Sequence, residues 1–76
     1  MQVVNALIEG VTQDIIAYLV EDRRIEVEDA MKIFYRSIVC EKLLNKDTGL
    51  YKESSAYLYE LLKDELADGE FIQKEI

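Results

Sequence analysis

The chain has no histidine, no tryptophan and no proline, and its 76 residues include one cysteine and three glycines. Without histidine the commonest general base and metal ligand are missing. A Ser–His–Asp or Cys–His constellation cannot form within the chain. The single Cys40 permits no internal disulfide, which fits a reducing, cytoplasmic setting. Lys42 lies near Cys40 but no imidazole can activate it, so Cys40 reads as a half-buried structural thiol. The isolated Gly10, Gly49 and Gly69 make no phosphate-binding glycine loop. The opening MQVVNALIEG lacks a basic leader, and Glu9 and Asp14 interrupt its apolar pattern, so no signal peptide is expected. No run approaches the ~18 apolar residues of a membrane span.

Cations are scarce as well. Nine Lys and Arg stand against 16 Asp and Glu, for a net charge of −7. Only Arg23 and Arg24 are adjacent among the basic residues, which disfavours direct binding to nucleic acid. An acidic surface suits solubility or a basic protein partner. The loop NKDTGLYKE offers Asn45, Asp47 and Glu53 but not the spacing of an EF-hand. No metal and no cofactor is expected. Paired-carboxylate chemistry needs a cleft, and short amphipathic helices supply little material for one. The segment SIVCEKLL carries one lysine and one glutamate, a poor surface for a DNA-recognition helix.

What the chain does have is apolar periodicity. Half of its residues are hydrophobic, enough for a core. In the first segment Val4, Leu7, Ile8, Val11, Ile15, Tyr18 and Leu19 fall within an arc of roughly 120°, which predicts a helix over residues 3–22. Ile16 and Val20 lie at its edge, one turn apart, as an apolar shoulder. The cluster EDRR marks a turn. A second helix begins near Glu26, a poor N-cap, with Ile25 and Ala30 at the spacing of a hydrophobic staple. Its face comprises Val27, Ala30, Met31, Phe34, Tyr35 and Ile38, with Ile33 opposite. Ser37 caps a short third helix. Asn45, Asp47 and Gly49 form a loop. Ser54 caps the last helix, which is expected over residues 55–68 with Gly69 at its C′ end. Residues 70–76 then form a tail that packs through Phe71 and Ile72 or frays.

The last helix sweeps Tyr57, Leu61, Leu58, Leu62, Leu66 and Tyr59 over about 200°, with the two tyrosines at the margins. A marginal tyrosine borders the core with its hydroxyl in water, or anchors a partner interface. Tyr51, in the loop, folds back over the core. Glu65 sits within the apolar arc. It points to solvent beyond the core or pairs with a cation from a partner.

The stretches EDAMKIFYRS, DTGLY and ESSAYLYELLKDEL resemble a group of short, mostly uncharacterised bacterial helical proteins. That group carries an E-E-A-L-x-x-F/Y-x-S segment, a T-G-L-Y turn and an S-P-x-Y-x-x-x-L-L-x-x-E helix. Glu28, Asp29, Ala30, Phe34 or Tyr35 and Ser37 match the first. Thr48, Gly49, Leu50 and Tyr51 match the second. Ser54, Tyr57, Leu61, Leu62 and Glu65 match the third. Ser55 departs from the pattern, where proline is usual at the first helical position. The resemblance spans about two thirds of the chain and implies the small partner in a toxin–antitoxin-like cassette. It implies no catalytic residues.

Together these readings predict one all-α domain over residues 1–76, a small bundle of three main helices and one short one. The expected core is Val11, Ile15, Leu19, Met31, Phe34, Leu58, Leu61 and Leu62. The expected function is non-enzymatic protein binding, with an antitoxin-like acidic chain engaging a cognate protein. Its interface residues would be Ile16, Val20, Tyr57, Tyr59 and Glu65. The alternatives are a homo-oligomeric structural protein and, behind it, a transcriptional regulator.

Overall fold

The structure is a computed structural model that describes the backbone of residues 2–75 and the side chains of residues 3–67. The described residues form an all-α bundle of four helices: α1 (Gln2–Arg23), α2 (Val27–Tyr35), α3 (Ile38–Leu44) and α4 (Ser55–Glu75). Two single-turn 3₁₀ helices, Lys46–Thr48 and Leu50–Lys52, join α3 to α4. α1 packs against α2, α4 and the second 3₁₀ turn, and α3 packs against α4. The bundle measures 40 × 24 × 18 Å along its principal axes.

α1 buries Ile8, Val11, Ile15 and Leu19, a ridge with the three- and four-residue spacing of one helical face. Leu7, expected on that face, is instead exposed. Within Val3–Arg23 an 18-residue window of the helix reaches a mean hydropathy of 1.4, long and apolar enough by length and composition to cross a membrane. In the bundle its Ile15 and Leu19 are fully buried in the shared core. The helix ends at Arg24, whose φ of 56° is left-handed without a glycine. That geometry costs an L-residue about 1 kcal/mol.

Glu26 is the N-cap of α2 and makes no side-chain cap bond, as its chemistry leads one to expect. Ile25 and Ala30 both lie at the core. The orientation of α2 differs from the expected one. Only Ala30 and Phe34 are buried, Ile33 packs partly against the core, and Met31 is exposed rather than in the core. At 100° per residue the inward direction is turned roughly 60–80° from the expected face, toward Ile33. Phe34 is among the largest fully buried side chains. On so short a helix, placing that ring sets the rotation.

Ser37 serves both neighbours of its turn. Its Oγ accepts from the Cys40 N–H at 3.0 Å and donates to the Phe34 carbonyl at 2.6 Å. α3 then buries Val39, Cys40 and Leu43. In the following loop Asn45 Oδ1 accepts from the Asp47 N–H, and Thr48 Oγ1 donates to the Lys42 carbonyl at 2.6 Å. Gly49 takes φ 71°, the left-handed conformation that favours glycine. Leu50 and Tyr51 fold back and pack partly against the core.

Ser54 Oγ accepts from the Tyr57 N–H at 3.1 Å and caps α4. Ser55, where the resembled pattern has proline, donates its hydroxyl to Asp14 on α1 at 2.7 Å, a bond proline cannot make. Leu58, Tyr59 and Leu62 are buried, while Leu61, expected in the core, is only partly so. α4 does not stop at Gly69 but runs to Glu75. A helical glycine costs about 1 kcal/mol and does not by itself break a helix. The expected packing of Phe71 and Ile72 lies outside the described side chains.

Candidate functional site

Turning α2 toward Ile33 leaves an apolar stripe outside the core. Val27, Met31 and Tyr35 stand one above another at four-residue spacing and are 51%, 38% and 55% exposed. They form one wall of a surface groove of about 690 Å³. The facing wall is α1, which contributes Ile8, Thr12, Ile16 and Val20, again at four-residue spacing. Leu44, 56% exposed at the end of α3, is also part of the lining. Two i+4 ridges with a furrow between them are the surface that a packed helix ordinarily receives.

The polar margin of the groove is of one sign. Glu9 and Glu21 line it, and no lysine or arginine does so among the described residues. On the outer flank of α2, beyond Met31 and Tyr35, Lys32 and Arg36 supply the opposite sign beside Glu28.

The structure brings Ile16 and Val20 together in this groove, both partly buried against the core. It does not bring the other three expected interface residues there. Tyr59 is a core residue, 8% exposed, with its ring 5.2 Å from that of Tyr18. Its hydroxyl donates to Asp22 Oδ2 at 2.7 Å. Burial, then that hydrogen bond and the Asp22 charge, push its phenol up to about 12, against an opposing effect of Arg23. Tyr57, 49% exposed, stays on the surface but is not among the groove residues.

Glu65 is partly buried, and its carboxylate is engaged within the chain. Its Oε2 accepts from the Ile38 N–H at 2.7 Å and its Oε1 from the Val39 N–H at 3.1 Å. One carboxylate on α4 thus satisfies two of the free donors at the start of α3 and complements its dipole. Cys40 is buried, and desolvation raises its thiol pKa, so the nucleophilic thiolate is suppressed.

Sequence reasoning missed Val27, Met31, Tyr35 and Leu44 as groove residues. Periodicity alone assigns Val27, Met31 and Tyr35 to the inward face of α2. The available signal was excess: α2 carries more apolar residues than two turns can bury at once. Comparison of the chain with protein-family models, curated proteins and solved structures finds no match in any of the three. The likeness to the cassette-associated bacterial proteins therefore stands on the T-G-L-Y turn and its flanking helices alone.

Proposed function

We propose that this chain is a non-enzymatic protein-binding module that docks a cognate protein in the groove between α1 and α2. Its role would be that of the acidic, antitoxin-like member of a pair, working in the cytoplasm. The observation that supports this reading is the groove itself. An otherwise acidic small domain leaves Val27, Met31, Tyr35 and Leu44 exposed in one contiguous patch beside Ile16 and Val20. Contiguous apolar surface with a polar rim is the mark of an interaction site. The resemblance to cassette-associated proteins points the same way.

The test is affinity capture from host lysate with wild-type and Val20→Glu baits, read by mass spectrometry. One stoichiometric partner held by the wild type and lost from Val20→Glu is expected, with both baits melting cooperatively. Retention of the partner by the mutant bait would move the contact elsewhere. Because Val20 is partly buried, Met31→Glu on the more exposed wall serves as the second bait.

A second reading is a homodimer through the same stripe, favoured by Lys32 and Arg36 standing beside a face whose other margin is acidic. Light scattering separates the two, since a concentration-independent dimer with no foreign partner belongs to the homodimer.

A further inference from the structure

We infer that the occupant of the α1–α2 groove is an amphipathic helix of a partner protein, with an apolar ridge and a basic flank laid along α1. This rests on reading the groove as a protein-binding site and specifies what binds there. The length follows from α1. Its lining runs from Ile8 to Glu21, four successive turns, or about 20 Å at 1.5 Å per residue. A helix of about fourteen residues covers that distance. The shape follows from the two walls. Both are i+4 ridges, so a third helix seats its own ridge in the furrow between them. The exposed aliphatic, methionine and tyrosine side chains of the α2 wall give such a ridge apolar contact throughout.

The charge fixes how the incoming helix is rotated. Its flank over α1 meets Glu9 and Glu21 with no cation of this chain between them, which calls for lysine or arginine there. Its other flank, over α2, approaches Lys32 and Arg36 and is best neutral or acidic. A second copy of the chain fits less well, because it brings a net charge of −7 and a second Glu9–Glu21 margin to the same face. Excess charge of one sign opposes self-association.

The probes are two synthetic peptides of about fifteen residues with the same leucine ridge. One carries lysines along one flank and the other carries glutamates in their place. Fluorescence anisotropy measures each against the intact chain at low and at physiological salt. The lysine-flanked peptide is expected to bind at least about ten-fold more tightly than the glutamate-flanked one, with an affinity that falls as salt rises. Met31→Glu should abolish its binding. The exposed double change Glu9→Lys with Glu21→Lys should remove most of the preference between the peptides, with circular dichroism confirming an intact fold. Equal binding of the two peptides, no binding of the lysine-flanked one, or a preference untouched by the double change would overturn the basic-helix inference. If Val20→Glu still loses the lysate partner in any of those cases, the binding-module reading survives without it. If both baits keep that partner, the module reading through this groove fails first.

Discussion

Tyr57 and Tyr59 are two residues apart on α4, and the structure gives them opposite environments. Tyr57 remains half exposed, while Tyr59 is buried against Tyr18 with its hydroxyl on Asp22. Burial, with that bond second, gives the residue a pH signature. A free phenol ionises near pH 10, and in the fold Tyr59 is held neutral up to about 12. The unfolded chain therefore loses this proton first as pH rises. The stability contributed by neutral Tyr59 is whole below about pH 10 and is lost between about pH 10 and 12. Denaturant melts across that window should show the wild type losing roughly 2 kcal/mol that Tyr59→Phe does not lose. At neutral pH the same substitution should cost about 1 kcal/mol, the usual worth of one hydrogen bond. Parallel alkaline titrations of the two proteins would argue against a buried Tyr59 bonded to Asp22.

At the scale of elements, the short helices are held by partners distant in sequence. α3 has seven residues, too few to be stable alone. It begins on Ser37 and on a carboxylate from α4 that is 27 residues from Ile38. Glu65→Ala removes both acceptors at once and is expected to cost about 1–2 kcal/mol of global stability. Amide exchange should report the loss first at Ile38 and Val39. A change confined to α4 would mean that the α3 donors find water without cost. Ser55 similarly ties the start of α4 to Asp14 on α1.

For the whole molecule the important division is between apolar residues that make the core and those that line the groove. Leu19 is fully buried where α1 joins the common core, and Met31 stands on the groove wall. Leu19→Ala should cost about 2–5 kcal/mol, a large part of the stability of so small a domain. Met31→Lys should cost less than about 1 kcal/mol. Thermal melts of the two variants check this. A large loss from Met31→Lys would place that side chain in the core and remove one wall of the proposed interface. Among the described residues no buried side-chain polar atom lacks a hydrogen-bond partner. The proposed interface is therefore argued from exposed apolar surface and not from any unmet polar group.

The sequence by itself determined the helical class, the acidic surface and most of the boundaries. The reason is that periodicity, turn residues and serine caps act within a few neighbours. The starts of α3 and α4 at Ser37 and Ser54 were legible for that reason, and so were the Ile8–Leu19 ridge and the turn at Gly49. Ile16 and Val20 were legible as a surplus shoulder, although what they face was not. The rotation of α2, the burial of Tyr59 and the task of Glu65 were decided only by the tertiary structure. Each depends on which helix comes to lie opposite. A nine-residue helix with six apolar positions can turn several faces inward, and the face it turns is the one that buries Phe34 in the shared core. The same rotation left Val27, Met31 and Tyr35 outside and so created the groove.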